Sequence, residues 1–237
     1  MWSAQVLPQP WSSHRAYDCP GLLSELKAFF PMSTFQNPQQ TWNQRFAAEH
    51  YVFGQAPNAY LQSQAAHLSP GNALAVADGE GRNGVWLAQQ GLQVDAFDFS
   101  DNAIRKAQAL AQSQQVEVNF VCSDWQSFDW RPAHYDNVVG IFFQFATPDE
   151  RSTLFARMLS SLKPGGILII QGYTPRQLDF NTGGPGKLAH LYDEALMLDA
   201  FGELDIMDLR TYEAEITEGT GHRGMSGLLG LTARKPF

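Results

Sequence analysis

From residue 73 onward the chain alternates short apolar runs with longer amphipathic stretches, and that alternation most constrains its fold. ALAVA (73–77), LQVDAFDFS (92–100), VEVNFVCSD (116–124), YDNVVGIFFQF (135–145) and GILIIQGY (166–173) have the length and apolar density of strands. Between them GVWLAQQG (84–91), DNAIRKAQALAQSQQ (101–115) and PDERSTLFARMLSSLKPGG (148–166) carry helical periodicity, with Ser100 as a cap and Gly91 as a stop. Strands alternating with helices imply a parallel sheet covered on both faces. The run 135–145 is almost unbroken in apolarity, as a doubly covered central strand requires. After a long glycine-rich loop comes a helix over 191–202, then two strands, 204–216 and 227–235. No full helix fits between those last two, so they are expected to pair as a hairpin.

The expected fold class is therefore α/β: a doubly wound, Rossmann-like, mostly parallel seven-stranded sheet with a C-terminal antiparallel hairpin and helices on both faces. Residues 32–237 form one domain, with an N-terminal helical cap over 41–68 broken at 54–58. Residues 1–31 have scattered Pro and Trp, no lasting periodicity and no signal-peptide order. They are expected to be an extension of uncertain role, in which LLSELKAFF is able to dock as a short helix. Sixteen Lys and Arg against twenty-four Asp and Glu give a net charge of -8, which argues against bulk binding to nucleic acid or anionic membrane. The apolar runs are too short to span a bilayer. The protein is expected to be cytoplasmic, and a monomer or weak homodimer. Of the two cysteines, Cys122 in VNFVCSDW is expected to be reduced and buried, and the histidines show no ligand spacing, so no metal is expected.

The run LAVA breaks into Asp78-Gly79-Glu80-Gly81-Arg82-Asn83 before a helix resumes. A strand, a glycine turn and a helix make the generic opening of a nucleotide-cofactor site, because glycines admit a tight turn and the helix N-terminus offers free N–H groups. A phosphate-binding loop needs a Lys followed by Ser or Thr, and neither is present. Gly79 and Gly81 are suitably spaced, but Asn83 stands where a dinucleotide fingerprint has its third glycine. Asp98 ends the second strand twenty residues after Asp78, where an acid accepts hydrogen bonds from ribose hydroxyls. Taken alone, that arrangement suits an NAD enzyme equally well.

DGEGRNGVWLA, VDAFDFSDNAIRKAQ, FVCSDWQSF, YDNVVGIFFQF and LKPGGILIIQGY, in this order, resemble the class I S-adenosylmethionine-dependent methyltransferases. WNQRFAAEHYVFGQAPNAYL, the GEGRN turn and the late GGPG and EGTGHRG segments resemble the tellurite-resistance and thiopurine S-methyltransferase branch. The resemblance implies S-adenosylmethionine as cofactor, with S-adenosylhomocysteine as product. It implies that backbone at Ala77, Asp78 and Gly79, beside Gly81, passes the methionine moiety, that Asp98 holds the ribose and that Phe99 lies against adenine. Asp124 would meet the adenine amine, with Trp125 beside it. A helix carrying Trp42, Arg45, Phe46 and Tyr51 would cover the cofactor, with Arg45 and Tyr51 near its carboxylate. Phe142 to Phe145 would face the methyl group. The chain departs from the family where the usual acid is Ala75 and the first glycine is Ala77, which motivates an alternative: a non-catalytic cofactor-binding or interaction protein on the same fold.

Methyl transfer from a sulfonium is an in-line displacement that alignment and desolvation largely catalyse. GIFFQF supplies Gln144 but no base, which tilts the acceptor towards a small, soft nucleophile: a thiol, selenium or tellurium compound. A small-metabolite O- or N-methyltransferase is the alternative within enzymology. No catalytic residue is assigned. Phe143, Gln144, Arg176, His190, His222 and Arg223 are the candidates to line the acceptor pocket, the arginines because they suit an anionic acceptor.

Overall fold

The computed structural model describes residues 38–237. The expected extension at 1–31, its docking helix and Cys19 lie outside the described residues. Helices α1 (Pro38–Arg45) and α2 (Ala59–Ser63) and a 3-10 turn (Ala65–His67) lead into β1 (Asn72–Val76). The α/β alternation follows: α3 (Arg82–Gln89), β2 (Gln93–Asp98), α4 (Asp101–Ser113), β3 (Asn119–Cys122), β4 (Tyr135–Ile141), α5 (Pro148–Ser161) and β5 (Leu162–Tyr173). After α6 (Gln177–Phe180), a 3-10 turn (Leu188–His190) and α7 (Glu194–Phe201), the described chain finishes in the hairpin β6 (Asp205–Glu218) and β7 (His222–Arg234).

The seven strands are ordered β3-β2-β1-β4-β5-β7-β6. The first five pair in parallel, and β7 runs antiparallel to both β5 and β6. Side chains alternate across the sheet, so each apolar run feeds two cores. Leu74, Val76, Val138, Leu168 and Ile170 face Leu154, Phe155 and Met158 of α5 and Met197 and Phe201 of α7. Ala73, Ala75, Val139, Ile141, Ile167 and Ile169 face Tyr60 and Leu61 of α2 and Trp86 and Leu87 of α3. This double burial is why 135–145 has no polar stripe.

The helix starts are locally encoded. Ser100 Oγ accepts from Ala103 N at 3.2 Å to cap α4, whose buried Ala103, Ile104, Ala107, Leu110 and Ala111 recur at helical spacing. Thr147 and Glu150 form a capping box on α5, with Pro148 in its first turn.

Three expectations are corrected. The cap over 41–68 is only partly helical, because α1 stops at Arg45 and the chain folds back. Its apolar residues then meet by folding rather than by helical stacking: Trp42, Phe46 and Phe53 pack with ring centroids 5.4–6.2 Å apart. The final strands are longer than expected, so His222 begins β7 instead of sitting in a loop. Cys122 is exposed, since β3 is the sheet's edge strand, and its Sγ donates to Asp101 Oδ1 at 3.1 Å.

Candidate cofactor and acceptor site

Between β1 and β4 the order of strands reverses, and open α/β sheets bind ligands outside the carboxyl ends of strands at such a switch point. A cavity of about 1180 Å³ opens there, lined by the ends of β1, β2, β4 and β5, by α1 and by the β6–β7 turn.

The glycine turn makes its floor. Gly81, with φ of +86°, starts α3, and a Cβ there would stand 2.6 Å from Ala107 Cβ. Gly81 therefore lets α3 and α4 approach and does not line the cavity, although Gly79 does. Asp78 Oδ2 accepts from Gly84 N at 2.9 Å, holding the first turn of α3. Burial pushes the Asp78 carboxyl up to about 7 against the pull of that bond and of Arg82. Ala77 occupies the left-handed region, with φ of +49°, where glycine is the unstrained choice. Phe142 does the same at the end of β4, with φ of +54°, and its N–H is held by Gln171 O at 2.8 Å.

Asp98 stands at the end of β2, buried at the cavity wall. Its Oδ2 accepts from Gly79 N at 3.1 Å and its Oδ1 from Ser100 N at 3.0 Å, so it ties the turn to the start of α4. Burial raises its carboxyl to about 6, opposed by those backbone donors. Phe99 follows it on the wall. Helix α1 is clamped over this region: Asn43 Oδ1 accepts from Ser100 Oγ at 2.8 Å and from Asn102 N at 3.0 Å. The segment after α1 is held by Glu80, which accepts from Phe53 N at 3.2 Å and pairs with Lys106 at 2.6 Å. Arg45 reaches the cavity with its guanidinium over the rings of Trp42 and Phe53, and burial lowers its pKa.

Of the residues singled out in the sequence, the structure gathers Arg45, Ala77, Asp78, Gly79, Asp98, Phe99, Phe142, Phe143, Gln144, His222 and Arg223 around one cavity. Besides Gly81, five do not line it. Tyr51 lies beyond the end of α1 and donates to Lys106 O at 3.0 Å. Asp124 is exposed and caps Ser127 N at 2.7 Å, while Trp125 packs against the core under Arg157. Arg176 is drawn to Asp179 and Glu213 on the surface. His190 ends a 3-10 turn with Nδ1 3.2 Å from Gln144 O. Gln144 lines the cavity, but its amide is spent on backbone, with Nε2 donating to Tyr173 O and Oε1 accepting from Tyr173 N. Arg223 is exposed at the rim.

Of one buried polar cluster only His222 was singled out in the sequence, and nothing there signalled how its members pair. Arg82, first residue of α3, donates to Glu218 Oε2 at 2.6 Å. Asn58 Nδ2 donates to Glu218 Oε1 at 2.9 Å and to Gln171 Oε1 at 2.6 Å. His222 Nδ1 lies 3.6 Å from Glu218 Oε2, outside hydrogen-bond distance, and its ring is wedged between Phe53 and Phe142 at 4.3 and 4.4 Å. Burial lowers His222 to about 4, so the ring is neutral near pH 7. Burial alone would raise Glu218; the His222 ring and the Arg82 guanidinium outweigh it and hold the carboxyl at about 2.

The cavity suits an adenosyl cofactor on this structure's own terms. A buried acid ends β2 beside an aromatic, and the bare floor at Gly79 is a cradle where a Cβ would meet Phe46 at 3.5 Å. Among the described residues no three His, Cys, Asp or Glu side chains are grouped to hold a metal ion, and no helix is long and apolar enough to cross a membrane.

Comparison with known proteins agrees with this geometry. Residues 73–166, from β1 to the start of β5, match the family described as a methyltransferase domain. The chain is 30% identical over 129 residues to a carboxy-S-adenosyl-L-methionine synthase of Shewanella loihica, across 52% of this chain and 49% of that protein. It thus spans about half the length of that relative. Among solved structures it is similar to TehB of Haemophilus influenzae, with a TM-score of 0.63 and 17% identity over 83% of this chain and 66% of that one. It is also similar to a protein studied for conversion of a disulfide bond into a thioacetal group during echinomycin biosynthesis, with a TM-score of 0.69 and 16% identity over 84% and 91% of the two chains. At those identities the structural likeness establishes the fold.

Proposed function

We propose that this chain, which carries a class I S-adenosylmethionine-dependent methyltransferase domain, moves a methyl group to a small, soft nucleophile. The observation that carries the reading is Asp98: a buried carboxylate at the end of β2, anchored to the glycine turn and facing a cavity at the switch point. When bound, S-adenosylmethionine supplies a methyl group made electrophilic by its sulfonium.

The chain's own residues do the rest. Asp98 would accept from the ribose hydroxyls, Phe99 would pack on the adenine and the Ala77–Gly79 backbone would follow the methionine part. Phe53, Phe142 and Tyr173 wall the reacting end, and aromatic faces favour a cationic donor. Packing Trp42 and Phe46 over the opening limits water, which strengthens alignment and electrostatics. Gln144 is committed to backbone and His222 is neutral with a depressed pKa. The Asp78 and Glu80 carboxyls are held at the glycine turn by Gly84 N and Lys106, so among the described residues no strong base is placed beside the acceptor. An acceptor that is already nucleophilic meets that condition, whereas a hydroxyl needs a base that this wall does not offer. The structural neighbour from echinomycin biosynthesis, described as acting on a disulfide, supports a sulfur acceptor.

The relatives named carboxy-S-adenosyl-L-methionine synthases favour a second reading, in which the product is a carboxylated form of the cofactor itself. The test is calorimetric titration with S-adenosylhomocysteine, beside Asp98→Ala and an NAD control, followed by mass spectrometry of turnovers with thiols, selenite and tellurite. Binding lost in the variant and absent for NAD, with a methylated acceptor, supports the first reading. In a parallel turnover supplied with carboxylic acids as carboxyl donors, a cofactor that gains a carboxyl group as the donor loses one supports the second. A folded protein that does not bind S-adenosylhomocysteine refutes both.

A further inference from the structure

Four buried side-chain polar atoms lack a hydrogen-bond partner among the described residues: Arg82 Nη1, Tyr173 OH, His222 Nδ1 and Tyr192 OH. The first three belong to residues that line the cavity. Native proteins rarely leave such groups unpaired, so three around one cavity point to a ligand that supplies the partner. Arg82 shows what kind. Its Nη2 is taken by Glu218, and Glu218 spends its other oxygen on Asn58. Nη1 is left with a guanidinium proton and no acceptor.

The charges around this end agree. Arg45, whose guanidinium lies over the Trp42 and Phe53 rings, pairs with no carboxylate among the described residues. A Cβ on Gly221 would stand 3.1 Å from an Arg45 terminal nitrogen, which brings this second guanidinium to the same hairpin turn that carries His222. Arg82 is answered by Glu218 through Nη2 alone, and Glu80, the carboxylate whose charge acts on Arg45, is already paired with Lys106. Guanidinium groups match carboxylates and comparable oxyanions in shape as well as charge.

We propose that this end of the cavity is an anion subsite in which Arg82 Nη1 and Tyr173 OH receive a carboxylate or comparable oxyanion of the acceptor, with Arg45 closing over it. The proposal deepens the methyltransferase reading and rests on it for the word acceptor. It makes the acceptor an anion, held by its charge on the arginine side while its nucleophilic atom faces the aromatic wall.

The test titrates protein saturated with S-adenosylhomocysteine with 3-mercaptopropionate and, separately, with neutral 2-mercaptoethanol. The wild type is expected to bind the anionic thiol at least tenfold more tightly. Arg82→Gln combined with Glu218→Gln, which strands neither charge, is expected to abolish that preference. Tyr173→Phe, which keeps the ring and the packing, is expected to reduce it threefold or more. Equal binding of the two thiols, binding of neither, or a preference unchanged in both variants overturns the proposal. A parallel titration with 5′-methylthioadenosine, which lacks the amino-acid part, separates the two sources of a carboxylate. If 3-mercaptopropionate binds that complex but is displaced by S-adenosylhomocysteine, the subsite belongs to the cofactor's carboxylate and the acceptor assignment falls. Failure of S-adenosylhomocysteine to bind at all refutes the proposed function instead, and the preference between the two thiols is then read on the free protein.

Discussion

Replacing Glu218 with alanine should be among the most damaging single changes in the domain. The Arg82–Glu218 pair is joined at 2.6 Å with side chains 7% and 11% exposed, so both charges have left bulk water. Glu218→Ala removes the one carboxylate that Arg82 touches, and Nη1 already lacks a partner. Breaking a buried ion pair from one side costs about 3–5 kcal/mol, because the remaining charge stays desolvated. In a domain of this size each kcal/mol moves Tm by about 2–4 °C, so the expected loss is roughly 6–20 °C. Thermal melts by circular dichroism, with urea midpoints beside them, measure it. Arg82→Met combined with Glu218→Leu should lose much less, since a matched apolar pair strands no charge. A loss below about 1 kcal/mol in Glu218→Ala would refute the reasoning and mean that water reaches the guanidinium. The pH dependence has a definite sign. A carboxyl held near 2 contributes stability that is present above its unfolded value of about 4.3 and is lost as pH falls through about 2.

Other outcomes follow from the same contacts. His222 is lowered to about 4, so its contribution is complete above about pH 6.5 and drains away as pH falls towards 4; His222→Gln should flatten that stretch of the stability curve. Asp98→Asn should weaken S-adenosylhomocysteine by about 1.5–3 kcal/mol, roughly ten- to a hundredfold in Kd, by calorimetry. Wild-type affinity should itself weaken as pH drops below about 6, where the Asp98 carboxylate takes up its proton, and the Asn variant should lack that dependence. Gly81→Ala sets a Cβ against the Ala107 backbone at a left-handed position and should cost about 2–4 kcal/mol. Gly91→Ala, with the same φ of +86° but nothing within 4 Å, should cost only about 1 kcal/mol. Equal losses at the two glycines would show that packing between α3 and α4 is not the reason for Gly81.

The alternation that defines the sheet was legible because each strand is buried on two faces and each helix carries its own cap, as at Ser100 and Thr147. Asp98 was legible because its place depends on a short, local strand–turn–helix unit. What escaped depends on distance along the chain. Arg82 and Glu218 meet across 136 positions, and nothing near either residue announces the other. The first half of β7 escaped for a different reason. Glycines interrupt HRGMSG, so it lacks the apolar density of a covered strand, whereas β6 was legible to within two residues of its end. Cys122 was misjudged because an apolar run on an edge strand is covered on fewer sides than the same run at the centre.

The insertion of β7 between β5 and β6 bears on how the protein is made. Domains form as the chain emerges, at about 5–20 residues per second, from the N-terminus forward. The five parallel strands are complete by Tyr173, but among the described strands β6 has no neighbour other than β7. A ribosome that has released Glu218 but not Arg234 therefore holds a chain whose β5 edge is bare and whose β6 hangs unpaired. That nascent chain has its ribose acid in place yet lacks Glu218 against Arg82 and His222 against Phe142. Competence to bind arrives with the final strand, and until then the open β5 edge is the surface most in need of a chaperone's cover.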